Sequence, residues 1–270
     1  MSASTATAAT DSTARPGPAR APFLRLTALH VRAQFLENIR VPIAVISSAM
    51  FPALAAFFFV VPNPAVNSDP VGATQALAQL GVFGVMSACL FTHGTGVADD
   101  RSQPFDGYVR TLPAGAGPRM IGRVMIGLFF TVLAVVPLAL VGVVFTSATI
   151  PVGRLVLAIG AVLAVAVPFT LLGFAIGYSM SSKAAIAVVQ VVLFPLAFAG
   201  GLFLPPEMFP GWLDTFSTFL PSRAARELMV AATTGAPGYS YAIPVFLVWT
   251  AVFAAMAFLA YRNDQGRRFR

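Results

Sequence analysis

Lysine is nearly absent: Lys183 is the only one in 270 residues. No Gly-x-x-x-x-Gly-Lys-Ser/Thr loop surrounds it, so the chain carries no loop of that kind to cradle a nucleotide's phosphates. Charge of either sign is scarce, at 10% of residues against about 25% in soluble proteins. With 57% hydrophobic residues and a mean hydropathy of +0.81, that scarcity excludes a soluble globular class and reads as a polytopic membrane protein. The single cysteine, Cys89, has no partner for an intrachain disulfide and sits in an apolar block as a small packing residue. His/Glu metal clusters, a paired Ser-Lys and clustered carboxylates are all missing from the apolar blocks, which argues against an enzyme within the membrane. No catalytic or metal-ligating residue is assigned.

What is present is grease in blocks, bounded by arginine, proline and glycine. A hydrocarbon core about 30 Å thick takes about 20 helical residues, and six runs of that length appear, at 41–61, 77–97, 124–145, 155–180, 184–204 and 242–261. None contains Asp, Glu, Lys or Arg. An ionised side chain at mid-helix costs at least about 2.5–3.5 kcal/mol on insertion scales, so the pattern predicts an all-α protein with six transmembrane helices.

The net charge of +7 resides in arginines scattered between these blocks, a loop pattern rather than a nucleic-acid face. Counting them orients the chain. Arg15, Arg20, Arg25, Arg32 and Arg40 precede the first span, Arg101, Arg110, Arg119 and Arg123 follow the second, Lys183 follows the fourth, and Arg262, Arg267, Arg268 and Arg270 close the chain. These 14 lie on one side, against Arg154, Arg223 and Arg226 on the other. Both termini are therefore expected in the cytoplasm. Residues 1–22, rich in Ser, Thr, Ala and Pro and without a signal-peptide core, are expected to form a disordered cytoplasmic tail, and 262–270 are read as the cytoplasmic C-terminal tail.

Three segments lie outside the spans. Residues 23–40 read as an amphipathic helix along the membrane, with Leu24, Ala28, Val31, Phe35 and Ile39 on one stripe and Arg25 and Arg32 opposite; Leu26, Leu29 and Leu36 form a second stripe beside the arginines. The loop 98–119 mixes Asp99, Asp100, Asp106 and Arg110 with the apolar Phe105, Tyr108 and Leu112. That combination suits an amphipathic turn docked into a partner's groove, with an ordinary solvated loop as the alternative. The segment 205–241, broken by Pro205, Pro206, Pro210 and Pro221, carries Phe209, Trp212, Phe216 and Phe219. Short helices in or on the outer leaflet fit it, with Glu207, Asp214, Arg223, Arg226 and Glu227 on their wet face; a plain aromatic anchor belt is the alternative.

The run Ala98-Asp99-Asp100, then Phe105-Asp106, Arg110-Thr111-Leu112-Pro113 and Gly122-Arg123, resembles the cytoplasmic signature of type-2 ABC exporter permeases of the daunorubicin-resistance kind. Pro210-Gly211-Trp212-Leu213 followed by Leu220-Pro221 resembles that family's segment before its last span. The resemblance, covering about residues 23–261, implies a bacterial inner-membrane permease domain paired with a second permease copy or paralogue and with ABC ATPase subunits. It implies no cofactor on this chain, ATP and Mg being held by the ATPase. On this likeness 98–119 is the ATPase-coupling loop, with Asp99, Asp100, Phe105, Asp106, Tyr108, Arg110 and Leu112 as its contact residues. Residues 23–40 become the connecting helix (Arg25, Arg32, Phe35), and Glu207, Trp212 and Asp214 mark the extracellular segment.

Competing readings differ by class. A secondary transporter needs buried ionisable groups or broken helices, and no acidic residue occurs in the six spans; the polar candidates are His93, read as an interfacial or helix-helix hydrogen-bonding residue, and Gln190, read as bridging to a neighbouring helix or to a dimer partner. A channel would show polar filter loops or charged rings; a non-transporting scaffold stays open. Spans lined by Phe, Leu, Val and Met suit a hydrophobic drug or lipid-like substrate. Export of a polysaccharide or envelope component is the alternative.

Overall fold

In the computed structural model, residues 23–39, 50–104 and 116–267 are described. The tail 1–22, the first part of the 41–61 span, residues 268–270, and Phe105, Asp106, Tyr108, Arg110 and Leu112 lie outside them. Among the described residues five helices are long and apolar enough to cross a membrane, and the protein is an all-α polytopic membrane protein.

Helix α1 (Phe23–Ile39) is followed by α2 (Met50–Val60), the described remainder of the first expected span. A short α3 (Pro64–Asn67) leads into α4 (Pro70–Ser102). Asp69 caps α4, its carboxylate accepting from the backbone N–H groups of Val71 and Gly72, with Pro70 in the first helical position where no amide is needed. Then come α5 (Ala116–Phe145), α6 (Val152–Ser179) and α7 (Ser182–Ala199). The 205–241 segment folds into a 3₁₀ turn, Pro206–Met208, and helices α8 (Gly211–Ser217) and α9 (Pro221–Thr234). Helix α10 (Ala242–Arg267) ends the chain. Two prolines start helices in this segment, as their fixed φ and missing amide favour.

Helix α4 is the axis of the bundle. Its apolar window is 72% buried, against 22–28% for the other four spans. Val82, Val85, Met86 and Leu90 of α4 meet Val165, Phe169 and Leu172 of α6, Val189 and Leu193 of α7, Met229 and Val230 of α9, and Phe246 and Phe253 of α10. Helices α6 and α10 pack most extensively. The faces of α5, α6, α7 and α10 turned away from α4 stay exposed and apolar, as lipid-facing surfaces must be.

Where α4 meets α6 the backbones approach closely. Gly173 has room for no Cβ, since one would lie 2.9 Å from the Cys89 oxygen, and at Gly177 it would lie 2.5 Å from the His93 oxygen. The same stretch of α4, Leu90–Thr95, is a π turn, the local widening often found at functional sites.

Helix α1 lies against α5, but on a face between the two stripes expected for it. Leu26, His30, Val31, Gln34 and Phe35 turn inward, whereas Leu24, Ala28, Leu29 and Leu36 are exposed. Phe35 meets Phe129 edge-on at 5.0 Å, and a Cβ at Gly122 would lie 3.3 Å from His30 Cβ. The backbones approach closely at Gly122, which seats His30 on the packed face of α1. Arg25 and Arg32 are exposed, on the open side of the helix.

Candidate functional site

Two polar clusters sit at opposite ends of the bundle. At the junction end α4, α6 and α10 finish and α5 and α7 begin; at the cap end α8 and α9 cover the bundle.

The loop expected at 98–119 is shorter. Its first residues belong to α4, which stays helical through Ser102, and its last belong to α5. Asp99, Asp100 and Arg101 thus occupy the final turn of the central helix, and each reaches a different neighbour. Ser182 at the start of α7 donates through Oγ to Asp99 Oδ1. Arg123 of α5 donates through Nη2 to Asp100 Oδ2 at 2.6 Å. Arg101 makes the densest set: Nη2 and Nε donate to Asp264 Oδ1 of α10 at 2.6 and 3.0 Å, and Nη1 donates to the carbonyl oxygens of Gly177 and Met180 at 2.7 and 3.0 Å. Those carbonyls are orphans of the α6 C-terminus, where a cation also complements the helix dipole. One guanidinium therefore joins three helices, a task suited to arginine's planar fork rather than to an ammonium. Asp264 is 3% exposed, so truncating either partner strands a buried charge, a loss of about 3–5 kcal/mol.

Arg123 is buried too, yet its Nε and Nη1 have no hydrogen-bond partner among the described residues. Its backbone oxygen lies 3.3 Å from His93 Nε2, and His93 Nδ1 lies 3.0 Å from the Cys89 oxygen. Both ring nitrogens face backbone carbonyl oxygens, so whichever carries the proton donates to one of them. His93 meets Phe174 edge-on at 4.7 Å and fills the space left by Gly127, where a Cβ would lie 2.0 Å from its ring. It is a helix-helix contact of α4 with α5, as its sequence position predicts. Gln190, the other polar candidate read from the sequence, is exposed on α7.

At the cap end the expected wet face is mostly dry. Glu207 is exposed, but Arg223, Arg226 and Glu227 are buried at 9%, 3% and 8% exposure. Helix α9 lies on α4, α6 and α10, so its charged stripe faces inward and the charges neutralise each other. Glu227 Oε1 accepts from Arg226 Nη1 at 2.6 Å and from Arg223 Nε at 2.9 Å, and Arg223 also reaches Asp214 at 3.3 Å. With the Gln79 amide turned to satisfy its neighbours, its oxygen accepts from Arg226 Nη2 at 2.6 Å and Nε at 3.1 Å, which ties the cap to α4. Burial lowers the Arg226 pKa and Glu227 opposes the shift.

Arg154 at the start of α6 donates to the Ala231 oxygen at 3.1 Å, just before Gly235, whose φ of 83° ends α9 in the left-handed conformation. Ser222 donates to the Leu196 oxygen of α7 at 2.6 Å and Trp249 of α10 to the Phe219 oxygen at 2.8 Å. Tyr239 donates to the Thr218 oxygen at 2.8 Å. Burial pushes its pKa up to about 12, so it stays a donor at any physiological pH. Trp212 is 72% exposed and Phe216 54%, on the outer side of the cap.

Of the expected coupling-loop residues, Asp99 and Asp100 lie in the junction cluster; of the expected extracellular-segment residues, Asp214 pairs with Arg223, while Glu207 and Trp212 are exposed. Sequence reasoning passed over Arg101, Asp264 and Gln79. Asp264 carried a signal: it is the one acid among the arginines after the last apolar run, out of pattern for a tail.

Comparison with known proteins agrees with this architecture. The family model described as ABC-2 type transporter matches residues 25–234. The chain is 26% identical over 183 residues to the "Putative transport permease YvfS" of Bacillus subtilis (strain 168), an alignment covering 66% of this chain and 73% of that one.

Proposed function

The chain belongs to the ABC-2 type transporter family, and on that premise we propose that it exports a hydrophobic drug or lipid-like substrate using ATP hydrolysed on separate subunits. It is a multi-pass permease of an ABC transporter. In this reading the junction end faces the cytoplasm of a bacterial cell, the cap end faces outward, and ATP and Mg are held by ABC ATPase subunits. The ATPase docks at the loop that includes Phe105, Asp106, Tyr108, Arg110 and Leu112, with α1 as the connecting helix beside it. A second permease copy or paralogue completes the transport unit. Gln190 supports that pairing: an exposed amide in mid-span, among the exposed Ile186, Val191 and Phe194 of α7, needs a hydrogen-bond partner that lipid tails do not offer.

The observation that carries the reading is the last turn of α4. Three consecutive residues there bind α5, α6, α7 and α10, so a force applied where the loop leaves α4 reaches every other described span. A floppy linker would dissipate it.

Affinity purification of the tagged chain from its native host tests the proposal. An ABC ATPase is expected to travel with it, and Asp106→Arg or Phe105→Ala is expected to reduce the recovered ATPase severalfold while membrane insertion is unchanged. Equal recovery from both variants refutes the docking role of the loop.

A further inference from the structure

Helix α10 does not stop where its apolar run stops. It continues beyond Tyr261 as a polar helix to Arg267, and this continuation is attached to the bundle. Tyr261 meets Tyr178 of α6 edge-on at 5.2 Å, and the Tyr178 hydroxyl reaches Met120 Sδ of α5 at 3.3 Å. Arg262 lies over the Phe258 ring at 5.6 Å, and Gln265 donates to the Tyr261 hydroxyl at 2.8 Å. Asp264 is buried at 3% exposure beneath Arg101, while Arg262, Asn263 and Gln265 are exposed. A solvated tail has no reason to bury a carboxylate. Arg101, which covers it, stands two residues before Gln103, where α4 ends and the ATPase-facing loop begins.

We propose that residues 261–267 are a working part of the coupling apparatus, with Arg101 and Asp264 as the positioning pair. They make the ends of α4, α6 and α10 one rigid body that moves together when the loop is displaced. The proposal rests on the coupling reading above and deepens it. At this end α5 is joined to α4 by the Arg123–Asp100 pair and α7 by the Ser182 hydroxyl on Asp99. The unit held by the Arg101 fork is therefore α4–α6–α10. Arg262, Asn263 and Gln265 are the exposed side chains of this continuation.

The test uses the permease assembled with its ATPase subunits in lipid nanodiscs, spin-labelled at Gln103→Cys and Asn263→Cys, in nucleotide-free and ATP–vanadate-trapped states. A single narrow distance distribution, the same in both states, is expected, while the distance from Gln103→Cys to a label at Thr215→Cys on the cap changes between them. Asp264→Ala is expected to broaden the 103–263 distribution and make it state-dependent, and Asp264→Glu to restore it. Arg101→Lys, which keeps the charge and loses the fork, is expected to broaden it as Asp264→Ala does. A 103–263 distance that shifts with nucleotide in the labelled protein, with Arg101 and Asp264 intact, overturns the proposal whether or not the Asp264 and Arg101 variants fold. If no ATPase assembles with the chain, the coupling reading itself falls and takes this one with it. If the ATPase assembles and the two labels part company, only the rigid-body proposal fails.

Discussion

Replacing Gly177 by alanine should be the sharpest single test of how α4 and α6 are joined. An added Cβ would lie 2.5 Å from the His93 oxygen, 2.8 Å from Val97 Cβ and 2.9 Å from the Gly94 oxygen. Ordinary contact begins at 3.4 Å, so the α4 backbone has to retreat by about 0.9 Å. Two of the three obstacles are main-chain atoms, which no rotamer change can move. Retreat is also resisted, because the Gly177 oxygen is held by Arg101. Overpacking of this kind costs about 1–3 kcal/mol, while alanine gains up to about 1 kcal/mol over glycine in helix propensity.

Gly160, on the exposed face of the same helix, has nothing within 4 Å of its Cβ position, so Gly160→Ala receives the propensity gain alone. Subtracting one variant from the other isolates the packing term. Thermal unfolding in detergent should place Gly177→Ala about 2–12 °C below Gly160→Ala, taking about 2–4 °C per kcal/mol for a chain near this size. Equal melting temperatures would refute the close crossing and, with it, the seating of Arg101 on the α6 carbonyls.

Two further outcomes are expected. A membrane-impermeant thiol reagent should leave Ser4→Cys unlabelled in intact cells and label Thr215→Cys, with the buried Cys89 giving no background; the reverse pattern would invert the proposed orientation. Arg226→Met should destabilise the protein by about 3–5 kcal/mol, since Gln79 and Glu227 lose a buried donor. Adding Glu227→Leu should recover part of that loss, since it removes the unbalanced carboxylate but leaves Arg223 only Asp214; a double variant melting no higher than the single one would contradict the pairing.

The helical, membrane-spanning class was legible because apolar run length is a local property, and Val152–Ser179 or Ala242–Arg267 can be read to within a few residues of its apolar part. Helix ends were less legible. At α4 the charged Asp99, Asp100 and Arg101 look like the start of a loop, since charge commonly marks where a span leaves the membrane. Here each has a partner on another helix, and the helix runs on to Ser102. The cap was read in kind, as short proline-started helices, but inverted in facing. Arg223, Arg226 and Glu227 look solvated because ionised groups are costly to bury alone. They are buried together, which no single-residue rule can foresee.

Composition and periodicity alone determined that this chain crosses a membrane, where most of its crossings fall and how sparse its charges are, because transfer from water to hydrocarbon is summed residue by residue along a helix. Which charges meet was decided only by the packed bundle. Asp264 and Arg101 are 163 positions apart, and Arg226 finds Gln79 across the bundle. Pairing of charged groups depends on the distance between side-chain atoms in space. That distance exists only once α4 has been surrounded.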